Sequence, residues 1–127
     1  MPDQAKPPAS LPGMDFAFPY GDDIVVITLT GQVPREQVGV AEEIFLGLLK
    51  QGCRKYLADC SRAEHISTTG IGLLMYHLKT LRESHSRIVM VPPPASVSKH
   101  LEPFRFSALI PVCDTREEAL QLLRQGD

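Results

Sequence analysis

The chain lacks any apolar run near the ~20 residues that a membrane-spanning helix requires, and it lacks a surplus of positive charge. Thirteen lysines and arginines face fifteen aspartates and glutamates, giving a formal net charge of −2 and a pI of about 6.1. That balance leaves nothing over to neutralise phosphates, and the basic residues form no block, so nucleic acid is a poor partner. Cysteine is scarce: Cys53, Cys60 and Cys113 make an odd count without a close pair. A disulfide framework is therefore not expected, and reduced thiols fit better. Cys53, Cys60 and His65 lack the tight pairing by which one turn presents two thiolates to a tetrahedral zinc ion. These cysteines read as small hydrophobes, and neither metal nor cofactor is expected. The opening Met-Pro-Asp-Gln-Ala-Lys lacks the charged-then-apolar order of a secretory signal. A cytoplasmic protein without direct membrane insertion is the expectation by elimination.

What is present suits one domain. A chain of 127 residues is too short for two ordinary domains, yet it buries roughly two-thirds of its unfolded surface. Residues 1–13 hold Pro2, Pro7, Pro8 and Pro12 among small polar residues and are expected to form a flexible tail, leaving 14–127 as the domain. From Met14, apolar Met14, Phe16, Phe18 and Tyr20 alternate with other residues, the period of a strand. Pro19 confines that strand to a sheet edge. Gly21-Asp22-Asp23 is turn chemistry, and Ile24 to Thr30 is β-branched almost throughout, as in a strand buried on both faces. The two strands predict a hairpin.

Pro34 suits the first position of a helix, whose buried face is predicted as Val38, Ala41, Ile44, Phe45, Leu48 and Leu49, ending at Gly52. Lys55–Asp59 reads as a short strand. Ile71, Leu74, Met75, Leu78 and Leu81 recur at helical spacing in a helix beginning near Thr69, with Thr68 expected to be accessible. Arg87–Val91 reads as a buried strand halted by Pro92-Pro93-Pro94, followed by a short helix around 96–101. Leu109–Val112 is a candidate last strand. Thr115 and Glu118 form a capping box before a helix carrying Ala119, Leu120, Leu122 and Leu123. The predicted order is β-β-α-β-α-β-α-β-α: an α/β domain with a mostly parallel sheet, an antiparallel edge hairpin and about four helices.

One segment carries chemistry beyond packing. His65-Ile66-Ser67-Thr68-Thr69-Gly70-Ile71-Gly72 joins a buried strand to a helix, at the edge where α/β sheets place their functional groups. Free N–H groups and the dipole at a helix start favour negative charge, so a hydroxyl there is suited to carry a phosphate. Ser67 is equally a good N-cap, and hydroxyl runs before helices serve capping alone in many proteins. Gly70-Ile71-Gly72 lacks the third glycine of a dinucleotide fingerprint, and Leu73 stands where a phosphate-cradling loop needs lysine.

This junction, with the strand before it and the amphipathic helix after it, resembles the signature of STAS domains, particularly bacterial anti-sigma-factor antagonists. In that family an Asp-Ser-Ser/Thr-Gly-Leu/Ile-Gly stretch opens the helix and its first Ser or Thr is phosphorylated. Aligned by the glycines, Thr68 takes the phosphoacceptor position, and Ser67, Thr68, Thr69 and Gly70 form the implied partner-binding segment. Leu29-Thr30-Gly31-Gln32 is similar to the family's Leu-Thr-Gly-Glu. Ser67 stands where Asp is usual, Pro34 replaces a common acidic cap, and Arg105 stands where a late loop usually has glycine. The resemblance implies a STAS-like fold and a partner switch. The unphosphorylated form would bind an anti-sigma factor that is itself a serine/threonine kinase, freeing a sigma factor, and a PP2C-type phosphatase would reset it. Stand-alone STAS domains also imply two other roles, an accessory subunit of a lipid-transport ABC ATPase and a scaffold domain in a stress-signalling complex.

The remaining polar residues form no catalytic grouping by spacing. His65, His77, His85 and His100 are scattered, and His77 is expected on a solvated or partner-facing helix surface. Asp59 suits a turn or helix-edge role. With no paired carboxylates for acid–base work and no triad, an enzyme is not expected.

Overall fold

The β-branched run after Gly21 sets the architecture. In the computed structural model, which describes residues 9–21, 23–64, 72, 77, 80, 83, 85–99 and 110–125, this run is strand β3 (Ile24–Leu29) at the centre of a five-stranded sheet. The other strands are β1 (Ala9–Leu11), β2 (Met14–Ala17), β4 (Lys55–Asp59) and β5 (Arg87–Val91), and the sheet order follows the chain order. β1, β2 and β3 pair antiparallel, whereas β3, β4 and β5 pair parallel. The sheet is thus evenly mixed, where the sequence predicted a mostly parallel one.

The difference comes from β1. The predicted tail boundary at residue 13 is too late, because Ala9–Leu11 pair with Met14–Phe16 in register Leu11↔Met14. Pro12-Gly13 is the turn between them, with Gly13 at φ +81°, the conformation for which glycine follows proline in tight turns. Leu11 is buried beside Met14 and Phe16, so the strand is held by the core as well as by its ladder. The predicted hairpin of β2 and β3 is present, pairing Met14 with Leu29 and Phe16 with Ile27.

Alternation along β3 divides the core between the two faces of the sheet. Val25, Ile27 and Leu29 join Phe16, Tyr56, Ala58 and Met90 beneath helix α1 (Val38–Lys50), which contributes Ala41, Phe45 and Leu48. Ile24 and Val26 join Leu57, Val89 and Val91 on the opposite face, beneath helix α3 (Arg116–Arg124), which contributes Ala119, Leu120 and Leu123. A sheet buried on both sides explains why β3, β4 and β5 are apolar at consecutive positions.

The helix ends follow from local chemistry. Pro34 precedes a 3-10 turn, Arg35–Gln37, that leads into α1, so it is the cap residue one place before the first helical residue and not, as predicted, that residue itself. Gly52, at φ +90°, ends α1. The Cys53 N–H donates to the Leu48 carbonyl and the Gly52 N–H to the Leu49 carbonyl, both at 3.0 Å, the paired bonds of a Schellman stop. Thr115 caps α3, its hydroxyl oxygen accepting from the Glu118 N–H at 3.1 Å. The Glu118 carboxylate accepts from that same hydroxyl, so the reciprocal bond differs from the backbone bond expected of a capping box. Arg87, at the start of β5, donates to the Leu122 and Leu123 carbonyls at 2.8 and 3.0 Å and closes the other end of α3.

Two helices of nine residues or more are delimited among the described residues, together with the one-turn helix α2 (Ala95–Ser98). The predicted count of about four is therefore not met among them. Most of the helix predicted from Thr69 lies outside the described residues, although Gly72, His77, Thr80 and Glu83 are each helical. The predicted last strand reduces to one parallel bridge between Val112 and Met90, closed by bonds on either side of Val112; Leu109 lies outside the described residues.

Candidate functional site

β3, β4 and β5 run parallel, so their carboxyl ends share one edge of the sheet. β4 ends there in Asp59, whose residue exposure is only 4%. One carboxylate oxygen, Oδ1, accepts from the Ser61 N–H at 2.9 Å and the Ser61 hydroxyl at 2.6 Å. This is the turn by which a short acidic side chain bonds its own backbone two residues on. The other oxygen, Oδ2, accepts from Arg116 Nε at 3.0 Å and Nη2 at 2.7 Å. Arg116 Nη1 donates to the Tyr20 hydroxyl at 3.3 Å. Three elements meet at this carboxylate, β4, its exit turn and the start of α3, and the segment before β3 joins them through Arg116.

Electrostatics fix the charge state. Burial alone pushes the Asp59 carboxyl upward, but two hydrogen bonds from Ser61 and the Arg116 ion pair outweigh it and hold the group below its ordinary range. Burial pulls Arg116 downward, and its bonds to Tyr20 and Asp59 raise it overall. Asp59 is ionised at neutral pH with donors on both oxygens, an arrangement that positions rather than transfers protons. The predicted turn role is what the geometry shows.

The exit from β4 stays ordered beyond Asp59. The Cys60 N–H donates to the Val91 carbonyl at 2.9 Å, and the Ala63 N–H returns to the Cys60 carbonyl at 3.0 Å. Cys60 is fully buried, and burial with the adjacent Asp59 charge pushes its thiol up to about 12. Cys53 is also buried, and the two behave as the small hydrophobes their spacing suggested. Their imagined companion His65 lies outside the described residues.

So do the predicted site residues Ser67, Thr68, Thr69 and Gly70, which follow Glu64 within a few residues along the chain. Of the glycine motif, Gly72 is described. It is helical and exposed, and a Cβ built on it meets no atom of the described residues within 4 Å.

His77 departs from expectation. It is buried at 3% exposure and stacks on Phe45, with ring centroids 4.3 Å apart and planes inclined by 18°. In sequence it falls three residues after Leu74 and four before Leu81, on the apolar stripe, where helical spacing places a core-facing side chain. Arg116, Tyr20 and Ser61 were not singled out by sequence as site residues, yet two signals point to Ser61 and Arg116. Asp-x-Ser after a buried strand is the spacing of the turn seen here. A cation in the first turn of a helix opposes the dipole, so Arg116 directly after the capping Thr115 calls for a nearby carboxylate.

Comparison with known proteins yields one family and a set of folds. The model of the STAS domain matches residues 18–119. A putative anti-sigma factor antagonist, TM1081 of Thermotoga maritima, shares 22% identity with a TM-score of 0.72, over 86% of this chain and 94% of that one. The anti-sigma factor antagonist SpoIIAA in its unphosphorylated form shares 18% identity with a TM-score of 0.73, over 88% of this chain and 96% of that one. The Bacillus cell fate determinant SpoIIAA in its phosphorylated form gives 18% identity and a TM-score of 0.67, over 87% and 99% of the two chains. At these identities the likeness is one of fold. No curated protein sequence matches.

Proposed function

The chain belongs to the STAS domain family, and on that premise we propose that it is an anti-sigma-factor antagonist, a cytoplasmic partner switch without catalytic activity of its own. The observation that carries this reading is the likeness of its fold to SpoIIAA in both unphosphorylated and phosphorylated forms. The hydroxyl-glycine segment Ser67 to Gly72 supplies the residue on which such a switch can act. Unphosphorylated Thr68, with Ser67, Thr69 and Gly70, contacts an anti-sigma factor that is also a serine/threonine kinase, and the sigma factor is released. Phosphate on Thr68 adds about −1.5 to −2 charges at a contact surface built for a neutral hydroxyl, and desolvation with like-charge repulsion ends the complex. A PP2C-type phosphatase restores the hydroxyl. Among the described residues no helix is long and apolar enough to cross a membrane, consistent with a domain that works by docking to other proteins.

The test is affinity capture from the native cell followed by phosphopeptide mapping with the captured kinase and ATP. Phosphate on Thr68, absent from Thr68→Ala, is the expected result, and Thr68→Glu should weaken the complex by more than tenfold, about 1.4 kcal/mol. Phosphate on Ser67 or Thr69 would displace the assignment by one residue. Capture of a transporter ATPase or a large scaffold, with no phosphate in the segment, would overturn the reading.

A further inference from the structure

Helix α1 covers one face of the sheet through Ala41, Phe45 and Leu48. Its other side carries two of the three large apolar side chains exposed among the described residues, Val40 at 42% and Leu46 at 49%. At about 100° per residue, Glu43, Leu46, Gly47 and Lys50 stand at i, i+3, i+4 and i+7 and share an arc of roughly 100°. Val40 adjoins that arc, one turn before Glu43. Glu43, Leu46 and Lys50 are exposed. A Cβ built on Gly47 meets no atom of the described residues within 4 Å, so the surface dips beside Leu46. Charge runs along this side with one sign at each end: Glu36 and Glu43 are exposed towards its start, Lys50 and Arg54 at and beyond its end.

We infer that this side of α1 docks a second copy of the chain, the two helices lying antiparallel about a two-fold axis between Leu46 and Gly47. The charge pattern selects both the occupant and the orientation. Such an axis sets Glu43 of each copy opposite Lys50 of the other, and Leu46 of each opposite Gly47 of the other, because both pairs are symmetric about that midpoint. The apolar side chain enters the dip, flanked by two ion pairs. Parallel helices would instead set Glu43 against Glu43 and Lys50 against Lys50, whereas antiparallel ones also oppose the ends of their dipoles favourably. An isologous contact of this kind closes at two subunits. One helix of 13 residues is about 20 Å long and cannot bury the ~800 Å² per partner of a standard interface. The dimer is therefore weak and reversible. Exposed ion pairs add little to its strength; they fix the register and make the contact sensitive to salt. This contact is independent of the proposed partner switch.

The experiment is sedimentation equilibrium of the full chain at concentrations up to about 1 mM, in low and in high salt. The apparent mass should rise from 14.0 kDa towards twice that value as concentration increases, and rise less in high salt. Leu46→Glu should weaken association about tenfold or more. Glu43→Lys and Lys50→Glu should each weaken it as well. An equimolar mixture of those two variants should associate as heterodimers, and the double variant should regain wild-type behaviour, because both restore opposite charges across the axis. That rescue separates a contact from a folding defect. An apparent mass that stays at 14.0 kDa at every concentration in low salt would overturn the inference. Association that Leu46→Glu leaves intact would do the same, placing the interface elsewhere. Single variants that weaken the dimer without rescue in the mixture would overturn the antiparallel register. A monomeric wild type that captures a different protein, lost in Leu46→Glu, would give this side of α1 to another occupant and equally overturn it.

Discussion

The imidazole of His77 lies nearly parallel to the ring of Phe45, with centroids 4.3 Å apart. Phe45 in turn meets Phe16 edge-on at 5.3 Å and Tyr56 at 6.4 Å, so the histidine extends an aromatic cluster beneath α1. Burial lowers its pKa from the ordinary 6.5, against the upward pull of Glu42, and the folded protein favours the neutral ring.

Stability should therefore depend on pH with a definite sign. A folded value below the unfolded one means that the unfolded chain binds the extra proton first. The contribution is complete above about pH 6.5 and is lost as pH falls from there towards the folded value. Urea midpoints of wild type should decline between pH 7.5 and 5.5, and those of His77→Leu should decline less over the same range. Parallel curves for the two proteins would remove His77 as the cause.

Asp59 contributes a second, lower step of the same sign. Its carboxyl is held below the ordinary 3.8, so its stabilisation is present above that value and lost as pH falls beneath it. Asp59→Asn should flatten the acid limb of the stability curve below about pH 4. At pH 7 it should also lower stability, because Arg116 loses its buried counter-charge. Circular-dichroism titrations of both proteins check this, and an acid limb of equal steepness in the variant would contradict it.

Arg87 donates to two carbonyls at the end of α3, and charge-assisted bonds of this kind are the stronger ones. Arg87→Gln should cost ~1–3 kcal/mol, and Arg87→Lys should recover part of the loss. Denaturant unfolding measures both. A midpoint unmoved in Arg87→Gln would show that water replaces the cap without penalty.

The amino-terminal strand predicts a sharp boundary. A chain starting at Ala9 should unfold with the midpoint of the full protein, whereas one starting at Met14 should lose ~1.5–3 kcal/mol from the burial of Leu11 alone. Gly13→Ala should be destabilising too, since its φ is +81°, which costs ~1–2 kcal/mol for an L-residue. The new methyl would also run into the Gln32 carbonyl. Equal midpoints for the two truncations would mean that β1 adds nothing to the fold.

Local pattern by itself determined strands β2 to β5, the buried faces of α1 and α3, the stop at Gly52 and the cap at Thr115. Each depends on side-chain period or on bonds between residues a few positions apart, which a sequence displays directly. Local spacing likewise carried the hydroxyl-glycine segment that leads to the family. Tertiary structure decided the rest. Strand β1 forms because a three-residue ladder gains a partner in β2 and a core for Leu11, neither of which its proline-rich composition reveals. His77 is buried because Phe45, from a different helix, offers a flat face. The Asp59–Arg116 pair joins residues 57 positions apart, and only the packing of α3 over the sheet brings the cation to the end of β4. Charge and hydrogen-bond complementarity across such distances is a property of the folded arrangement, so the pair became visible only when the chain was folded.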